Sequence, residues 1–97
     1  MALIVISIER VSQSLRGDLT RWLLQPRGGV FVGDVSAAVR DRLWQRVCAH
    51  RGAGACLMVT GASENEQGFE LRQHGDRSRE LVDIEGFALV RLPPKES

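Results

Sequence analysis

The sequence predicts a small α+β sandwich, one antiparallel sheet with two helices laid against it. Three observations lead there. The chain has 97 residues, room for one compact domain and not two. Apolar, β-branched runs alternate with amphipathic stretches in the order β-α-β-α-β-β-β. Each amphipathic stretch carries a single apolar stripe, which must find a sheet to bury it.

Residues 2–8, ALIVISI, read as a central strand. Ile4, Ile6 and Ile8 share one face, and Leu3, Val5, Ser7 and Glu9 share the other. Both faces are largely apolar, so both need cover. The domain's own helices supply one layer. A second copy of the same sheet would supply the other, which makes a homodimer with facing sheets the expectation.

Residues 13–25 read as the first helix, with Leu15, Leu19, Trp22 and Leu23 on one stripe and Arg16 and Arg21 off it. Pro26 and the Gly28-Gly29 pair turn the chain. Val30, Phe31 and Val32 form a short strand; a strand over 24–27 would have to be minimal, because Pro26 has no N–H to donate. Gly33 and Asp34 read as a turn, and Asp34 or Ser36 caps a second helix over about 35–50. That helix carries Val39, Leu43 and Val47 as its stripe, with Arg42 and Arg46 as a like-charge pair one turn apart. Gly52 to Gly54 end it. Residues 55–60 read as a buried strand and 67–73 as its hairpin partner, with Phe69 and Leu71 facing in. Residues 74–80 read as a charged loop, and 87–92 as the last strand. With 24–27 taken as a hairpin remnant, the order fits a ferredoxin-like βαββαβ sandwich over 1–80, followed by an extra C-terminal strand and tail over 81–97.

Apolar residues make up 43% and charged residues 26% of the chain, as in ordinary soluble domains. Leu3 to Ile8 has no basic residue before it and Glu9 and Arg10 follow directly, so it does not read as a secretory signal, and no run is long enough to cross a bilayer. Cys48 and Cys56 show neither metal-site spacing nor a disulfide framework; reduced thiols in a cytoplasmic protein are expected. The net charge is +1 but uneven, with eight arginines against four acids through Arg51 and an acidic remainder. Lys95 is the only lysine among 13 cationic residues. The planar fork of arginine suits phosphate oxygens, so Arg10, Arg16, Arg21, Arg27, Arg77 and Arg79 are candidates to form two basic ridges of a dimer along a duplex backbone; a solvated surface with ordinary ion pairs is the equal alternative. Glu9 ends the first strand. Two copies meeting across a twofold axis could hold Mg²⁺ and activate water, whereas in one chain Glu9 simply ends the strand beside Arg10. His50 and His74 lack metal-ligand spacing, and no nucleophile elbow or phosphate loop is present.

Three blocks stand out: LRGDLTRWLL at 15–24, GVFVGDVSAAVRDRLW at 29–44 and GFEL at 68–71. In this order and spacing they resemble the type I-E branch of the CRISPR adaptation family Cas-two. The resemblance covers almost the whole chain. It implies a ferredoxin-like homodimer between two dimers of the partner integrase, Cas-one, supporting the duplex part of captured DNA. The duplex-contacting cations of that pattern fall on Arg16, Arg27 and Arg79, while further basic positions fall on Ser14, Ala38 and Ser78. Relatives are also described as metal-dependent nucleases of RNA or DNA, centred on an acid at the end of the first strand. That position is Glu9 here, where much of the wider family has Asp. The resemblance further implies that the C-terminal strand and tail dock on the partner, with Val82, Ile84, Phe87, Leu89 and Leu92 as apolar contacts.

Overall fold

A computed structural model of the chain describes residues 1–64, 66–76, 80–84 and 87–92. Among these the order is β1 (Ala2–Ile8), α1 (Gln13–Thr20), β2 (Leu24–Arg27), β3 (Val30–Val35), α2 (Ala37–Ala49), β4 (Cys56–Gly61), β5 (Phe69–His74), β6 (Glu80–Ile84) and β7 (Phe87–Arg91). The first five strands form one sheet in the order β2-β3-β1-β4-β5, antiparallel at every pairing. Its first four strands have the arrangement of a ferredoxin-like fold, and β5 extends it beside β4. The last two strands pair only with each other, Val82 opposite Leu89 and Ile84 opposite Phe87.

β1 sits in the centre, as its apolar faces require. Ile4, Ile6 and Ile8 are buried against the helices together with Phe31, Val35 and Met58. Leu15 and Leu19 of α1 and Leu43 and Val47 of α2 close this core. Each such side chain contributes about 1.5–3 kcal/mol of transfer free energy. Serine starts both helices: Ser12 Oγ accepts the Leu15 N–H at 3.1 Å, and Ser36 Oγ accepts that of Val39 at 3.3 Å. Asp34 is no cap; it stands in β3 opposite Leu3.

The first helix is shorter than its apolar stripe suggests. α1 stops at Thr20, and the N–H groups of Trp22 and Leu23 both return to the Leu19 carbonyl, at 3.1 and 2.9 Å. Pro26 forces the residue before it out of the helical region, so the chain is extended by Leu24. Leu23 still reaches the core, but Trp22, the third member of the predicted stripe, is 54% exposed. β2 is short and its register shifts between Leu24 and Arg27, as a proline-bearing edge strand should. β3 runs on to Val35, so the expected Gly33-Asp34 turn is strand. Gly33 serves packing instead: a Cβ there would lie 2.6 Å from the Leu23 side chain, where the segment after α1 crosses the sheet.

Two further expectations are corrected. Phe69 and Leu71 do not face the helices. They pair with Gly61 and Val59, and Val59 pairs with Val5, which puts all of them on the opposite face. Arg72, next along β5, takes the helix side and reaches Asp41 of α2 at 2.9 Å. The charged loop expected over 74–80 gives way to strand at Glu80, and the C-terminal segment is a two-stranded ribbon rather than one strand.

The sheet thus has one covered face and one open face. By register the open face carries Leu3, Val5, Val32, Leu57, Val59 and Leu71, extended at its β2 edge by Leu24. Leu3 is 58% and Leu24 73% exposed, and the β-branched residues between them are half-buried; farther along this face, Val90 of β7 lines a cleft with Ser7, Leu57, Leu71 and Gln73. No helix among the described residues is long and apolar enough to cross a membrane.

Candidate nucleic-acid interface

The end of β1 is pinned from two sides. The Ile8 N–H bonds the Gly29 carbonyl in the β2–β3 turn at 2.8 Å. The N–H groups of Glu9 and Arg10 bond the carbonyls of Ala55 and Ala53, at 3.0 and 2.9 Å, in the loop after α2. Gly29 has φ of 79°, and a Cβ on it would come within 2.6 Å of the Ile8 carbonyl oxygen, so only glycine lets the hairpin turn approach this closely. Between the strand end, the first turn of α1 and the Gly28-Gly29 turn lies a cleft of about 420 Å³.

This cleft gathers two of the sequence-predicted residues. Glu9 and Arg16 both line it, with Ser12, Gln13 and Gln25 supplying further polar groups. Arg27 ends β2 at the rim, next to Gly28 of the lining, and is exposed. Neither Arg16 nor Arg27 has a carboxylate partner among the described residues, whereas Arg10, Arg40, Arg46 and Arg72 are all ion-paired. An arginine with no internal partner is open to an external anion, and two such forks flanking a polar cleft suit phosphate oxygens. Arg77 and Arg79 lie outside the described residues.

Among the described residues, Glu9 is the only acid that lines the cleft. Its carboxylate lies 3.2 Å from the Arg10 guanidinium and is half exposed. It rests on Gly54, where a Cβ would come within 2.6 Å of Oε1. A Cβ on Gly75 would in turn collide with the Gly54 carbonyl, so two glycines with positive φ shape the seat beneath the acid. A hard divalent cation takes six or more oxygen ligands, several of them carboxylate or water. One carboxylate already matched to a guanidinium does not fit that need within a single chain, and no group of three His, Cys, Asp or Glu gathers among the described residues.

The remaining candidates are structural. His50 caps α2, its N–H bonded to the Val47 carbonyl at 3.2 Å. Cys48 and Cys56 are free thiols; burial pushes both up from the usual 9.0, which makes them poorer nucleophiles. Asp41 accepts from Arg40 at 3.0 Å and from Arg72 at 2.9 Å, and the two bonds hold its carboxyl below the usual 3.8. Arg40 is therefore committed inside the fold rather than to a ligand. Sequence reasoning missed the glycine seat under Glu9, because Gly54 reads only as the stop of a helix; the Gly52-x-Gly54 spacing directly before a strand is the available signal.

The fold and the cleft define a class: a small ferredoxin-like α+β domain with an apolar sheet face and, among the described residues, two arginines without a carboxylate partner near the end of its central strand. The particular family follows from the sequence match. The model of the family described as CRISPR-associated protein (Cas_Cas2CT1978) matches residues 3–89, and the chain belongs to that family. Membership gives it a role in CRISPR adaptation.

Proposed function

We propose that this chain acts as a non-catalytic scaffold of the type I-E kind in CRISPR adaptation. Two copies stack by their sheets, and arginines of both form a track for the duplex part of captured DNA. The observation that carries this reading is the open apolar face of the sheet, which no segment of the described chain covers where Leu3 and Leu24 stand. A soluble domain rarely leaves so contiguous an apolar surface in water, and a self-complementary partner removes it. Arg16 and Arg27 contact phosphates without reading sequence, with Arg77 and Arg79 extending the track. The β6–β7 ribbon, with Val82, Ile84, Phe87, Leu89 and Leu92, docks on the partner integrase, Cas-one. Among these, Leu89 and Leu92 are exposed, at 47% and 65%, which supports an apolar contact.

Glu9 has no catalytic work in this reading. The Glu9→Ala protein acquires spacers at the wild-type level. A Mg²⁺-dependent nuclease, in contrast, would lose EDTA-sensitive cleavage on that substitution.

The decisive experiment is fluorescence anisotropy with a labelled DNA duplex over a range of salt. Reversal of both arginines (Arg16→Glu, Arg27→Glu) weakens binding at least about tenfold and lowers the salt slope by about 0.9 for each phosphate no longer neutralised. Unchanged affinity and slope in the double variant would remove the track, and with it the scaffold role.

A further inference from the structure

A second cleft, of about 290 Å³, lies between the end of α1 and the middle of α2, at the opposite end of α1 from Glu9. Its lining is Asp18, Arg21, Trp22, Arg42, Leu43 and Arg46. Leu43 is buried and forms the apolar floor, while Trp22 leaves more than half of its large surface in water. Arg46 crosses from α2 to Asp18 of α1, both Nε and a terminal nitrogen lying 2.7 Å from the same carboxylate oxygen. Arg21 and Arg42 have no carboxylate partner among the described residues. Three guanidinium groups thus face one carboxylate around an aromatic wall and an aliphatic floor.

We infer that this cleft is a docking site for an acidic protein segment with a bulky apolar centre. Tryptophan and arginine are the residues that dominate binding energy at protein interfaces, and here they surround a pocket rather than lying scattered. The volume takes one large side chain with part of its backbone; a double helix needs a longer track. A phosphate chain, evenly charged, would also bring an anion against the Asp18 carboxylate. A peptide places its apolar group over Leu43 and Trp22 and its carboxylates on Arg21 and Arg42, so its charges fall where the surplus lies. The site shares no residue with the proposed duplex track, and either reading can fail without the other.

The test uses the intact chain. The sequence holds two tryptophans, so Trp44→Phe leaves Trp22 as the only indole reporter. The probe is the synthetic, end-capped hexapeptide Asp-Glu-Leu-Phe-Glu-Asp. Its addition moves Trp22 emission to shorter wavelength in a saturable way, with a midpoint below about 1 mM. The Asn/Gln version of the peptide binds at least tenfold more weakly, as does the version with both apolar residues replaced by Ser. Arg42→Glu abolishes the response while duplex affinity stays within twofold. Should Trp44→Phe disturb the fold, the two indole N–H signals of the wild-type protein report the same titration by NMR, with only that of Trp22 moving. No response to the peptide at that concentration overturns the proposal. So does an oligothymidylate that displaces the peptide at equal concentration, which would make the cleft a single-strand site, and so does a parallel loss of duplex affinity in Arg42→Glu.

Discussion

At the scale of single residues, the glycines at the end of β1 decide what the functional cleft looks like. Gly29 holds a positive φ and has no room for a Cβ against the Ile8 carbonyl, so both backbone and space exclude a side chain. Gly29→Ala costs about 1–3 kcal/mol of stability. Gly17, inside α1, is the control: a Cβ there meets nothing within 4 Å, and Gly17→Ala stabilises by about 0.5–1 kcal/mol. Urea denaturation of the two variants checks the contrast, and a stabilising Gly29→Ala would show that the turn does not need its close approach. Thr60 is a smaller case at this scale. It is fully buried, and its hydroxyl has no hydrogen-bond partner among the described residues. Neither feature is readable from sequence, because a glycine in a turn and a threonine in a strand look the same whether or not something presses against them.

At the scale of elements, Asp41 joins two pieces of structure that sequence reading keeps apart. It sits on α2 and binds Arg40 beside it and Arg72 on β5. Its pKa is held below the usual value, so the unfolded chain takes up a proton at a higher pH than the folded one. Its contribution is therefore fully present above about pH 4 and is lost as pH falls through the depressed folded value. In the Asp41→Asn protein that acid loss is missing: its melting temperature is lower than wild type at pH 7, and the difference narrows at pH 3. Thermal melts at the two pH values measure it, and an equal gap at both would mean that the carboxylate charge plays no part. Elements with a strong period are legible. β1, β4 and the α2 stripe lie within a residue or two of their expected bounds, because apolar alternation and the 3.6-residue repeat are local signals. The misreadings all trace to distant context. The stripe of α1 runs past its end because Trp22 satisfies the period yet lies beyond the turn that Pro26 requires. Phe69 and Leu71 alternate correctly, but alternation does not say which side of a sheet is inside. β6 escapes notice because its ELVDI pattern lies between charges that read as loop.

At the scale of the whole molecule, the proposed pairing of two copies rests on the apolar face of the sheet. Leu3 is 58% exposed, so an acid there disturbs no packing within the chain. If two copies stack by this face as proposed, Leu3→Asp leaves the fold intact and halves the molar mass seen by light scattering, since it puts charge into the apolar contact. A wild-type protein of monomer mass would end the stacked arrangement and the shared arginine track together. The expectation of face-to-face pairing needs only the two apolar sides of β1. The candidate site is legible in part: Arg16 and Glu9 do share a cleft, and Arg27 borders it, because the end of β1, the start of α1 and the end of β2 meet at one end of the sheet. The cleft at Trp22 is not legible, since it depends on how two helices cross.

Pro26 gives the sheet one more property. It lies in β2, the outermost strand, which therefore offers a broken row of donors to any strand that approaches from the side. Lateral growth by backbone pairing is blocked at that margin, while stacking by faces uses up the adhesive surface in a single event. In the proposed pair, growth through the faces therefore stops at two copies, and the β2 margin adds no further strand.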